Sequence, residues 1–190
     1  MRRLEDVHDG QRVAALGSFQ QPISGEIRRL VLVWDISTRQ PIWVQPIIAI
    51  SAHKGTVCFS DDGAKLFVGE SDGRIRRRDI LTGKIDLEWR AYKDAGITAT
   101  ALSPDGTMLA SGAGYGDGDI KLWKVTSGER IATLPGHNGW VSCLEFSADG
   151  ATLYSSSADQ TARIWEIQNF RQKAVLRGHR DELYALAQPR

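Results

Sequence analysis

The sequence predicts an all-β protein built from four-stranded antiparallel units, and three observations carry that prediction. A turn phrase returns at near-constant spacing. A tryptophan-centred phrase returns on the same period. No stretch shows helical periodicity with caps. The turn phrase reads Ser60-Asp61-Asp62-Gly63, Ser103-Pro104-Asp105-Gly106 and Ser147-Ala148-Asp149-Gly150, with glycines 43 and 44 residues apart. Asp9-Gly10 is a looser copy, 53 residues before Gly63. The second phrase centres on Trp34, Arg78, Trp123 and Trp165, spaced 44, 45 and 42. Gly136-His137 and Gly178-His179 add a third register, 42 residues apart.

Each unit holds about four short β segments separated by turn signals. In the last full unit they are Trp140 to Phe146, Thr152 to Ser157, Thr161 to Ile167 and Lys173 to Leu176. Alternation places Val141, Cys143 and Glu145 on one face of the first segment, and Leu144 and Phe146 on the other. Evenly spaced groups of four strands without intervening helices suit a β-propeller, in which radial repetition protects the edges of small sheets.

Composition sets the setting. With 190 residues the chain can form one substantial domain; 42% of its residues are hydrophobic and 25% charged, as in soluble globular proteins. A formal net charge of +1 supplies no global field for nucleic acid or an anionic membrane. Cys58 and Cys143 form no CxxC pair and no zinc framework, and read as buried thiols. The opening residues Met1 to Gly10 lack a signal-peptide core, and the apolar run Ile47-Ile48-Ala49-Ile50 is too short to span a bilayer. A soluble, reducing, cytoplasmic setting without membrane contact is the expectation.

These phrases resemble the WD-repeat family, named for its Trp-Asp and Gly-His pairs. The best match runs from Gly136-His137 to Trp165-Glu166, and the next from Ile97 to Arg130. The resemblance implies one propeller domain over residues 1–190. Its repeats are about 10–52, 53–96, 97–135 and 136–178, the first two degenerate, with one extra inner strand in 179–190. A strict Trp-Asp pair stands only at Trp34-Asp35. Arg78 replaces a tryptophan, and Tyr92-Lys93 stands where Gly-His would be, which places Lys93 in the histidine column. His53 lies seven residues before Ser60, against ten from His137 to Ser147, so the second blade is expected to have a clipped inner strand and to be the least regular.

His137, Ser155 and Asp159 contain the residue types of a hydrolase triad. The resemblance implies instead that these three and Trp165 form a buried hydrogen-bond chain: Asp to His, His to hydroxyl, hydroxyl to indole. Such a chain satisfies polar groups that are costly to leave unpaired in a dry blade. No nucleophile elbow is present. No catalytic, cofactor or metal residue is assigned, and the chain reads as a non-enzyme.

Other features have plainer readings. Gly112 to Gly118 is glycine-rich, but a strand-like segment follows it where a phosphate loop needs a helix. Asp117 and Asp119 are too few for calcium. Arg74, Arg76, Arg77 and Arg78 read as a solvated strand whose Arg stems cover apolar neighbours. Residues Phe19 to Glu26 read as a loop insertion.

Propellers of this family bind partners around the narrower channel face, through residues just before each inner strand. That register gives Thr56, Gly96, Trp140 and Glu182, with Lys93, Arg180 and Tyr115 beside them. The expected partners are other proteins or peptide segments, and Trp140 reads either as an aromatic anchor for them or as a side chain packed over its own blade. The expected function is a non-catalytic docking scaffold. Alternatives are a propeller-fold enzyme or sensor domain of a larger polypeptide, and a nucleic-acid-binding module, which the near-neutral charge disfavours. Four repeats fall short of the family's common ring of about seven, within the roughly four to eight blades that propellers span. The expectation is therefore a partial ring, completed by a second copy or by further blades of a longer chain. The alternative is a four-bladed ring closed by the C-terminal strand.

Overall fold

A computed structural model describes residues 4–6, 11–20, 27–47, 56–114, 116–178, 181 and 183. They form four antiparallel sheets of four strands each, and contain no helix. The first blade is β1 (Leu4–Asp6), β2 (Arg12–Gln20), β3 (Ile27–Asp35) and β4 (Gln40–Ile47). The second is β5 (Thr56–Phe59), β6 (Lys65–Gly69), β7 (Arg74–Asp79) and β8 (Ile85–Arg90). The third is β9 (Ile97–Leu102), β10 (Met108–Ala113), β11 (Ile120–Lys124) and β12 (Arg130–Leu134). The fourth is β13 (Val141–Phe146), β14 (Thr152–Ser157), β15 (Ala162–Glu166) and β16 (Arg171–Leu176). In each, strand order follows chain order, which makes every blade a meander.

The recurring turn joins the first and second strands of blades two to four. In the fourth blade the Ser147 hydroxyl donates to Asp149 and accepts from the Thr152 N–H at 2.9 Å. Gly150 sits at φ 69°, in the left-handed region that favours glycine. Gly63 and Gly106 occupy the same conformation in their blades.

Burial lies between blades, because each sheet is apolar on both faces. Ala14, Val31, Val33 and Ile47 of the first blade pack on Val57, Leu66, Val68 and Ile80 of the second. Phe67, Ile75 and Trp89 of the second pack on Ile97, Leu109 and Trp123 of the third. Ala110, Ile120, Leu122 and Leu134 of the third pack on Leu144, Phe146, Leu153 and Trp165 of the fourth. Glycine permits the closest approaches: a Cβ on Gly69 would lie 2.6 Å from Ile97, and one on Gly112 would lie 2.5 Å from Val141. No core cluster among the described residues joins the fourth blade to the first.

Three expectations need correction. Val141 faces the third blade with Leu144 and Phe146, not the opposite face with Cys143, because the register slips between Val141 and Cys143. Phe19 and Gln20 belong to β2, so the first hairpin is long rather than interrupted from residue 19. The inner strand of the second blade is short, at four residues against six in β9 and β13. Its pairing with β6 is nonetheless unbroken, because β5 begins beyond the point where the longer inner strands slip register. Leu4–Asp6 pairs with β2 as a three-residue inner strand of the first sheet, and residues 184–190, expected as a C-terminal strand, lie outside the described residues.

Candidate functional site

The fourth blade places His137 on the segment between β12 and β13, Ser155 in β14, Asp159 in the following turn and Trp165 in β15. His137 Nδ1 lies 2.8 Å from Asp159 Oδ2, and His137 Nε2 lies 2.8 Å from Ser155 Oγ. The Trp165 indole N–H donates to the same Oγ at 2.9 Å. With Nδ1–H donating to the carboxylate, Nε2 accepts the seryl proton, and the seryl oxygen accepts from the indole. Every polar hydrogen in the chain therefore has a partner. The Asp159 carboxylate also accepts from the Asn138 N–H at 3.0 Å and the Thr161 hydroxyl at 2.6 Å. Burial pushes His137 below its ordinary range. Burial alone would raise Asp159, but donors from Thr161, His137 and Asn138 outweigh it and hold the group at about 2. The order Asp–His–Ser is that of a triad. Here, however, the serine is buried and its oxygen is engaged by tryptophan, leaving no approach for a substrate.

The third blade meets the same need with different groups. Trp123 donates its indole N–H to Ser111 Oγ at 2.8 Å, and the Ser111 hydroxyl lies 3.3 Å from the Tyr92 phenol. Tyr92 donates to the Ser111 carbonyl at 2.8 Å, and the Asp119 carbonyl is 3.0 Å away. Burial raises the phenol above its ordinary value and keeps it neutral. Lys121 Nζ lies 3.8 Å over the Tyr92 ring and 3.0 Å from Asp117. The histidine's part is thus taken by Tyr92, not by Lys93, which is exposed.

The second blade uses charge, and corrects the reading of its arginines as a solvated strand. Alternation along β7 turns Arg76 and Arg78 toward the seam with the first blade, where they are 7% and 5% exposed. Glu70, 1% exposed, lies between them: its Oε2 is 2.8 Å from Arg76, and its Oε1 is 3.6 Å from Arg78. Arg76 also reaches Asp72 and Glu88, each at 3.0 Å. Arg78 donates to the Gly83 carbonyl at 3.1 Å and to Gln45 of β4. Arg77 points the other way and donates to the Val125 carbonyl of the third blade at 3.1 Å. Sequence reasoning missed Glu70. The available signal was that Arg78 occupies the tryptophan column, which is buried in both later blades.

The segments between blades and the second-to-third-strand turns gather at one end. A Cβ on Gly96 would meet the Ser71 backbone at 2.9 Å, and one on Gly139 would meet Asp159 N at 2.8 Å. The rim residues divide there. Thr56 is buried with its hydroxyl 3.1 Å from that of Thr100, and Gly96 is buried. Lys93 and Asn138 are exposed and Trp140 is half-buried. Tyr115, Arg180 and Glu182 lie outside the described residues. The glycine-rich loop leads into β11, not into a helix. Among the described residues no group of three or more His, Cys, Asp or Glu is arranged to hold a metal ion, and no helix is long and apolar enough to cross a membrane.

The sequence model of the family described as "WD domain, G-beta repeat" matches residues 44–78, 84–124 and 128–166, more than half of the chain. A guanine nucleotide-binding protein subunit beta of Nicotiana tabacum is 29% identical over 85% of this chain and 50% of its own length. The target of rapamycin complex subunit LST8 of Bos taurus is 29% identical over 73% of this chain and 44% of its own. The U3 snoRNP-associated protein-like EMB2271 of Arabidopsis thaliana is 30% identical over 96% of this chain and 41% of its own. The chain therefore spans half or less of the length of these relatives.

Proposed function

This chain belongs to the WD40 family of repeat proteins, and from that premise we propose that it is a non-catalytic docking module that binds protein segments at the rim formed by its inter-blade segments. The observation that carries the reading is the placing of Trp140. This large aromatic stands half-buried at the end where the inter-blade segments gather, with exposed Asn138 on the same segment and exposed Lys93 at the preceding seam. A semi-exposed tryptophan flanked by polar groups suits a binding anchor, since it covers much area while ordering few torsions. Two of the relatives are named as subunits, which supports a life in assemblies. The buried relay and ion cluster support the non-enzymatic part of the reading, because their groups are spent on one another. The two free, buried cysteines fit the cytoplasmic setting that belongs to this proposal.

The test is selection of displayed random peptides on the purified chain. Selected peptides should share a motif, and Trp140→Ala should weaken their binding by about tenfold or more, as for a central anchor. Leu81→Ala, an exposed residue on the turn between β7 and β8, should leave binding unchanged. Equal binding by Trp140→Ala and the wild-type chain would remove the rim assignment.

A further inference from the structure

The chain holds two asparagines, Asn138 and Asn169, and they differ in their neighbours. Asn169 precedes Phe170, whose side chain crowds the intervening backbone nitrogen, and its amide donates to Glu166. Asn138 precedes Gly139, which has no side chain to shield that nitrogen. Asn138 is exposed, and its amide group has no hydrogen-bond partner among the described residues. The peptide plane between Asn138 and Gly139 is also unheld. Among the described residues neither the Asn138 carbonyl nor the Gly139 N–H is hydrogen-bonded. The segment is held on both sides of that plane. The Asn138 N–H donates to Asp159 at 3.0 Å, and the Trp140 carbonyl accepts from the Ala158 N–H at 3.0 Å.

The Asp-Gly steps in the recurring turns offer the same glycine but are closed to attack by its nitrogen. The N–H groups of Gly63, Gly106 and Gly150 donate to the carbonyls of Ser60, Ser103 and Ser147 at 2.9, 2.8 and 2.8 Å. The turn serines and the following backbone N–H groups hold Asp62, Asp105 and Asp149 below the ordinary carboxylate value, and an ionised carboxylate is a poor electrophile. Asn138 combines a neutral amide with an unengaged glycine nitrogen.

We propose that Asn138-Gly139 is a self-modification site, where the chain converts its own asparagine to aspartate and isoaspartate, and that isoaspartate frees Trp140 from the turn that holds it. The Gly139 nitrogen attacks Cγ of Asn138. The new N–Cγ bond closes a succinimide as the Cγ–Nδ2 bond breaks, and the amide leaves as ammonia with the proton from Gly139. Water then opens either imide C–N bond, giving aspartate or isoaspartate. A Cβ on Gly139 would lie 2.8 Å from Asp159 N, and one on Gly118 of the third blade would lie 1.9 Å from the His137 carbonyl. The segment is thus wedged between two turns. Isoaspartate adds a backbone methylene between His137, fixed by Asp159 and Ser155, and Trp140, fixed by Ala158. The wedge has no room for it, and the single hydrogen bond to the Trp140 carbonyl gives way. Conversion requires no partner, so it is independent of the docking reading; under that reading the freed Trp140 also loses its place as an anchor.

The test ages the purified chain in mildly alkaline buffer and maps it by peptide mass spectrometry, with isoaspartate counted by an isoaspartyl methyltransferase. Asn138 should convert to aspartate and isoaspartate while Asn169 keeps its amide. Asn138→Gln should keep its amide at this position, because the larger ring closes slowly. In the chromatographically separated isoaspartyl chain, the Ala158 amide hydrogen should exchange about tenfold faster than in fresh chain. Fresh Asn138→Asp, which adds the charge without the methylene, should exchange as the fresh chain does. An Asn138 amide that survives in the folded chain, while a peptide of residues 134–142 converts, would overturn the site. Equal Ala158 exchange in fresh and isoaspartyl chains would overturn the release of Trp140.

Discussion

The fourth and second blades place the same structural demand on different chemistry. Each has a third-strand residue that faces the preceding blade: Trp165 in one, Arg78 in the other. In the fourth blade the demand is met by a neutral relay of indole, hydroxyl and imidazole ending on one carboxylate. In the second, Val68 replaces the serine, and two guanidiniums close on Glu70 and Asp72. The third blade lies between them, with a phenol in place of the imidazole. The repeat thus specifies a position that must be filled and satisfied, and leaves its chemistry free. Neutral relays tolerate burial well, whereas a buried ion pair offsets a large desolvation cost and is fragile to loss of one partner.

The largest effect that sharpens this comparison is expected from Trp165→Ala. It removes a fully buried indole from the third seam and should cost about 3–5 kcal/mol in urea unfolding. Arg76→Ala removes the guanidinium that the buried carboxylates of Glu70 and Asp72 share and should cost about 3 kcal/mol by the same measurement. A loss below about 1 kcal/mol there would mean that the cluster is solvated, as its sequence suggested.

The pH dependence separates the blades next. His137 titrates below its ordinary value in the folded chain, so the unfolded chain binds its proton first as pH falls. Stability held above pH about 6.5 should therefore decline as the pH drops through the histidine range. Asp159, held at about 2 against 3.8, adds a second loss between those values, on the order of 2 kcal/mol at most. His137→Ala should cost about 1–3 kcal/mol near neutrality and abolish the first decline. The smallest effect is expected from Tyr92→Phe, which keeps the ring under Lys121 and loses only the phenol's hydrogen bonds, at about 1 kcal/mol.

Legibility in the sequence followed the same division. His137, Ser155, Asp159 and Trp165 could be named because the resemblance to the WD-repeat family implies a buried hydrogen-bond chain at these positions, and the fourth repeat keeps all four residue types. Tyr92 could not, since spacing alone does not say which of two adjacent side chains turns inward, and the count fell on Lys93. Glu70 and Arg76 were hidden for a different reason. Alternating charges in a strand have the pattern of a solvated face, and only their place between two apolar sheets makes them interior. Val141 was misplaced by one slip of register, which reverses the face of every residue before it. At the rim, exposure was not legible: Thr56 and Gly96 are buried, whereas Lys93 is exposed.

A double-mutant cycle on His137→Ala and Ser155→Ala, followed by urea unfolding and by ester hydrolysis in parallel, tests most directly whether the relay holds the blade together. The expected result is a coupling of about 1 kcal/mol or more between the two substitutions, with hydrolysis at the buffer rate for all four proteins. Additive stability effects, together with turnover in the wild-type chain that vanishes in Ser155→Ala, would contradict it.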